Sequence, residues 1–151
     1  MLEPGRTWFV VADGRRARVL VEERRGAPLA ERDDWAMSIS PDDTYDPQDR
    51  PPRSFDRVGA GRHAMDKGRN LHEQEQVNFL NRVAARLGEA AKHGAFAHLV
   101  LAAPPRALGL LREALPAPAA SRICADLAKD VVEEDNAALR ERLTGLLRGS
   151  A

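Results

Sequence analysis

Between residues 50 and 70 stand six cations, Arg50, Arg53, Arg57, Arg62, Lys67 and Arg69, against two acids, Asp56 and Asp66. Guanidinium and ammonium groups at this density suit phosphate contacts, which add salt-sensitive affinity without reading base sequence. Phe55 is the aromatic in that stretch able to stack on a base. The run just upstream is acidic, with Asp42, Asp43, Asp46 and Asp49. The competing use of the cations is therefore pairing with those carboxylates in a solvated loop.

Other chemistry-bearing residues are more isolated. His72-Glu73-Gln74-Glu75-Gln76 has Gln76 where a zinc-binding His-Glu-x-x-His helix needs its second imidazole. His72 and Glu75 can share a helix face, but two ligands are too few for a metal. Asp13, Glu73 and Asp126 are acids on separate elements, and two-metal nuclease chemistry needs them to converge on ions about 3.5–4 Å apart. Cys124 has Arg122 and Asp126 as its near neighbours, neither of which is a base for a thiol nucleophile. No serine occupies a Gly-x-Ser-x-Gly elbow, and Gly59-Ala60-Gly61 opens no phosphate-binding fingerprint. No catalytic residue, metal or cofactor follows from these motifs.

The frame that would position these residues reads as one α/β domain spanning 1–151. Lys and Arg total 23 and Asp and Glu total 23, so global charge gives no argument for nucleic acid or anionic membrane. A single cysteine excludes an internal disulfide and fits a reducing, cytoplasmic setting. The first residues lack a signal-peptide pattern, and no segment reaches the roughly 18 apolar residues of a membrane span.

Thr7–Ala12 is apolar without alternation, as expected of a strand buried on both faces. Asp13-Gly14 predicts a type I′ hairpin turn. Residues 15–22 then alternate, Ala17, Val19 and Val21 against Arg16, Arg18 and Glu22. Trp35, Met37 and Ile39 suggest a short third strand at 34–39. From about 40 to 70, Pro and Gly punctuation predicts a long, partly flexible loop, with one further short strand at 53–58. Residues 71–93 carry a helical stripe of Val77, Leu80, Ala84, Leu87 and Ala91, stopped by Gly94. Residues 96–103 read as a central strand, 106–115 as a helix after Pro104-Pro105, 116–119 as a break and 121–128 as an outer strand. A last helix is expected from Val131 with Asp130 as its cap. The sum is a mixed sheet with an N-terminal β-hairpin and three main helices.

Four segments carry a family resemblance: "WFVVADGRRARVL", "GRHAMDKGRNLHEQEQVNFLNRVAARL", "HLVLAAPPRALGLLREAL" and Lys129-Asp130 before the last helix. In this order and spacing the chain resembles the bacterial host-attachment protein family, whose name is a phenotype rather than a chemistry. That family in turn looks similar to the middle domain of archaeal and eukaryotic peptide-chain release factors and of Pelota, which implies a ribonuclease H-like sandwich. In release factors the loop before the first long helix carries Gly-Gly-Gln. The matching stretch here, "GAGRHAMDKGRNLHEQ", lacks it, so hydrolysis does not carry over.

The expectation is a non-catalytic binding protein that touches RNA or the ribosome through the basic loop. One alternative is a protein-interaction factor supporting attachment to host cells or surfaces. Another is a hydrolase or nuclease with a site that the motifs do not reveal.

Overall fold

A computed structural model describes residues 5–40 and 60–149, with side chains described throughout except at 60–70 and 147–149. The strand expected at 53–58 lies outside the described residues. In chain order the elements are β1 (Thr7–Ala12), β2 (Arg16–Glu22), β3 (Ala30–Glu31), a 3₁₀ turn (Asp33–Trp35), β4 (Met37–Ser38), α1 (Ala60–Lys92), β5 (His98–Ala103), α2 (Pro105–Ala114), α3 (Ala117–Ala120), β6 (Ile123–Ala128) and α4 (Asn136–Gly149). The sheet runs β3-β2-β1-β5-β6, with β4 also pairing β2. The β1–β2 pair is antiparallel, whereas β1–β5 and β5–β6 are parallel. This is the expected mixed α/β sheet with its opening hairpin.

Helices cover both faces. Trp8, Val10 and Ala12 of β1, Ala17, Val19 and Val21 of β2, and Leu99, Leu101 and Ala103 of β5 meet Phe79, Leu80, Val83, Ala84 and Leu87 of α1 and Leu108 and Leu111 of α2. Phe9, Val11, Leu20, Val100 and Ala102 point the other way, onto Val131, Val132, Leu139 and Leu143. The unalternating apolar runs of β1 and β5 reflect this double burial. Among the described residues no helix is long and apolar enough to cross a membrane.

Several elements differ from their expected form. Gly14 does not have positive φ, so the hairpin turn is not type I′. Instead Asp13 Oδ1 accepts hydrogen bonds from the backbone N–H of Arg15 (2.8 Å) and Arg16 (2.7 Å), and Asp13 N–H donates to Arg16 O (2.9 Å). A Cβ at Gly14 would stand 2.7 Å from the Gln76 side chain of α1, which would have to shift.

The first helix starts at Ala60, not 71. Its C-terminus is as expected, with Gly94 at φ +72° and the paired bonds Gly94 N–H to Ala91 O and Ala95 N–H to Ala90 O of a Schellman stop. The last helix starts at Asn136, not Val131. Asp135 rather than Asp130 caps it, accepting the Ala138 N–H at 2.8 Å. Val131 and Val132 are core residues, 2% and 3% exposed. Trp35 lies in the 3₁₀ turn and only Met37–Ser38 of the expected third strand pairs. Within and just after the break expected at 116–119, residues Ala117–Ala120 form one helical turn.

Two helical glycines show how closely α1 is packed. A Cβ on Gly88 would stand 2.5 Å from Pro116 Cγ, whereas one on Gly109 of α2 would meet nothing within 4 Å. Gly88→Ala is expected to destabilise the fold by about 1–3 kcal/mol through overpacking against a rigid ring. Gly109→Ala, in an exposed helix interior, is expected to stabilise it by about 0.5–1 kcal/mol. Urea unfolding of the two variants beside the parent checks both signs.

Candidate functional site

The six cations divide at residue 60. Arg50, Arg53 and Arg57 lie outside the described residues. Arg62, Lys67 and Arg69 are on α1, so the second half of the expected loop is helix. Ala60, Arg62, Ala64, Met65, Lys67 and Arg69 favour a helix. Gly61 and Gly68, at roughly 1 kcal/mol each, oppose it and conceal it from a periodicity search. The two arginines are seven residues apart, which places them two turns apart on one side of the helix; Lys67 falls elsewhere on its circumference.

The sheet fixes where these turns stand. Gln76 is level with the β1–β2 turn, packed on Gly14. Residues 71–74 are exposed, with Leu71 55% accessible, and Phe79 and Leu80 are the first residues of α1 buried in the core among those described. Residues 60–75 therefore add about 24 Å of helix ahead of the level at which α1 meets the sheet, at 1.5 Å per residue.

The acids are not gathered into a reaction centre. Asp13 is used by its turn. Asp126 is paired with Arg112. Glu73 is 3.8 Å from Arg106, and His72, itself 71% exposed, is 3.6 Å from Glu75. No group of three His, Cys, Asp or Glu able to hold a metal occurs among the described residues. Cys124 is the extra residue of a β-bulge: Leu99 pairs with Ile123 and Val100 with Ala125. The bulge breaks the alternation expected of β6, sending Ile123 toward the α1 side while Cys124, Ala125 and Leu127 pack on the α4 side. Burial pushes the Cys124 thiol above its ordinary value, opposite to what a nucleophile requires.

One polar cluster has no counterpart in the sequence reading. Arg18 of β2 donates to Glu31 through Nε (3.0 Å) and Nη2 (2.8 Å), to Val132 O (2.8 Å) and Glu134 O (2.6 Å) through Nη1, and to Asn136 Oδ1 (2.8 Å) through Nη2. All five N–H groups of the fork have acceptors. The partners lie 13 to 118 residues away along the chain, so no local pattern announces them. The hub joins the sheet edge to the entry of α4. A cavity of about 210 Å³ beside it is lined by Arg16, Ala17, Arg18, Ala36, Met37, Ser38 and Val132. That is small against the several hundred cubic ångströms of ordinary ligand pockets. The cluster reads as a structural tie.

A family model described as "Protein required for attachment to host cells" matches residues 8–143, nearly the whole described fold. No curated protein matches the chain.

Arg18 holds the Glu31 carboxyl below its ordinary value of 4.5, first by the hydrogen bonds and then, against a smaller cost of burial, by charge. A carboxyl with a depressed folded value adds stability that is complete above the unfolded value and lost as pH falls through the folded one. The parent is therefore expected to lose stability as pH drops below about 4.5, and Glu31→Gln to show a shallower loss over the same interval. Denaturant midpoints from pH 6 down to 3 check it; identical slopes would remove the ion pair from the explanation.

Proposed function

The chain belongs to the family of proteins required for attachment to host cells, and on that premise we propose that it works as a non-catalytic binding protein that contacts RNA phosphates through residues 50–70. The observation that carries this reading is the local charge: six cations against two acids in a chain whose total charge is zero. Selection of cations at one place in a neutral molecule is the electrostatic footprint of a polyanion partner. The helical presentation of residues 62–69, ahead of the level at which α1 meets the sheet, supports it further. The resemblance to release-factor middle domains points to the ribosome as the RNA's setting, and without Gly-Gly-Gln the contact is binding alone. Resemblance of fold is a weaker warrant than the charge.

The family description favours a second reading, in which the same protein serves attachment through protein partners. It requires the protein to reach the cell surface. Protease shaving of intact cells that leaves the protein untouched would restrict any attachment role to an indirect one.

Fluorescence anisotropy with a labelled single-stranded RNA across a salt series tests the first reading. Log affinity is expected to fall linearly with log salt, by about 0.7 per phosphate contacted. Replacing Arg53, Arg57, Arg62 and Arg69 by Ala is expected to flatten that slope by up to about 3. Absence of binding at low salt, or an unchanged slope in the quadruple variant, would overturn it.

A further inference from the structure

Residues 32–40 lie across the edge of the sheet and against α1. Arg32 N–H donates to Val19 O and Ile39 N–H to Arg15 O, both at 2.8 Å. Between them only Met37–Ser38 pairs with β2, through Ala17 and Arg16. Among residues 32–40 only Trp35 and Met37 are buried. Two guanidinium groups of α1, one turn apart, hold the segment from outside: Arg82 Nη2 donates to Ser38 O (2.8 Å) and Arg86 Nη2 to Asp34 O (2.9 Å). Arg86 also lies 4.0 Å from the centre of the Trp35 ring.

Beneath the segment the closed arrangement is imperfect. Trp35 stands edge-on to Trp8, with ring centres 4.9 Å apart at 79°. Trp8 is 2% exposed and its Nε1–H has no acceptor among the described residues. A buried donor without a partner penalises the state that buries it, and water would satisfy it on opening.

We propose that residues 32–40 are a strap that peels from β2 and α1 as one unit while the rest of the sheet stays folded, with Arg82 and Arg86 as its latches and Trp35 as its plug. A short segment with two buried side chains, held by exposed hydrogen bonds, belongs to the low end of the local-stability range. The double-faced strands β1 and β5 belong to the high end. Opening hydrates Trp8 Nε1 and uncovers both indoles. The chain's two tryptophans touch each other, so tryptophan fluorescence reports on this part of the core.

Native-state hydrogen exchange on the full chain tests the strap. The amides of Arg32 and Ile39 are hydrogen-bonded across to Val19 O and Arg15 O, so their exchange requires the strap to leave the sheet. They are expected to exchange at similar rates, at least about tenfold faster than those of Val10 and Leu101. Arg86→Met is expected to speed the strap amides further, leave Val10 and Leu101 unchanged, and increase acrylamide quenching of tryptophan. Equal protection of strap and core in the parent chain would overturn the proposal, and that comparison needs no variant to fold. Acceleration of strap and core alike in Arg86→Met, or of neither, would overturn the assignment of Arg86 as a latch.

Discussion

Strand β1 has no solvent face, and this constraint organises the molecule. Each of its six residues is buried: Thr7 at its start, Trp8, Val10 and Ala12 against the α1 side, and Phe9 and Val11 against the α4 side. A strand apolar on both faces needs cover on both, and it needs paired neighbours on both edges for its peptide groups. The hairpin supplies β2 on one edge and the return from α1 supplies β5 on the other. α1 must therefore pack along β1, which brings Gln76 onto Gly14 and sets the level beyond which the remaining N-terminal turns carry Arg62, Lys67 and Arg69. The basic residues owe their placement to hydrophobic burial elsewhere.

Much of this frame is readable in the residues. The uniform apolar runs at 7–12 and 98–103 mark double burial, the 77–91 stripe marks the core face of α1, and Gly94 marks its stop. What escapes is decided by distant contacts. Asp13-Gly14 has the composition of a type I′ turn, yet the carboxylate of Asp13 builds a different one, and Gly14 lies beside Gln76 of a helix more than sixty residues away. Asp130 and Asp135 are equally good caps by composition. The burial of Val131 and Val132 beneath the sheet selects Asp135. At β6 a single bulged residue, Cys124, reassigns Ile123 to the opposite face.

The candidate site is legible to a different degree. Its charge is a local property of the sequence and could be read directly. Its conformation over 60–70 could not, because two glycines break the helical pattern that the surrounding residues favour. The Arg18 hub is invisible for the converse reason: its side chains are ordinary polar residues, and two of its acceptors are backbone carbonyls, until the fold gathers them. Arginine thus serves two purposes in this neutral chain. Arg18, Arg82 and Arg86 spend their donors on internal acceptors. The cations of the 50–70 stretch are dense where acids are sparse, and that imbalance is the ground for assigning them a partner.

The most direct measurement is an NMR titration of the isotope-labelled full chain with a short single-stranded RNA, followed residue by residue. If the N-terminal turns of α1 make the contact, amide shifts will concentrate between residues 60 and 70 and fade with added salt, while Arg18, Glu31 and Asn136 remain still. Shifts centred on the Arg18 hub or on the β6 edge, with residues 60–70 unmoved, would contradict the assignment.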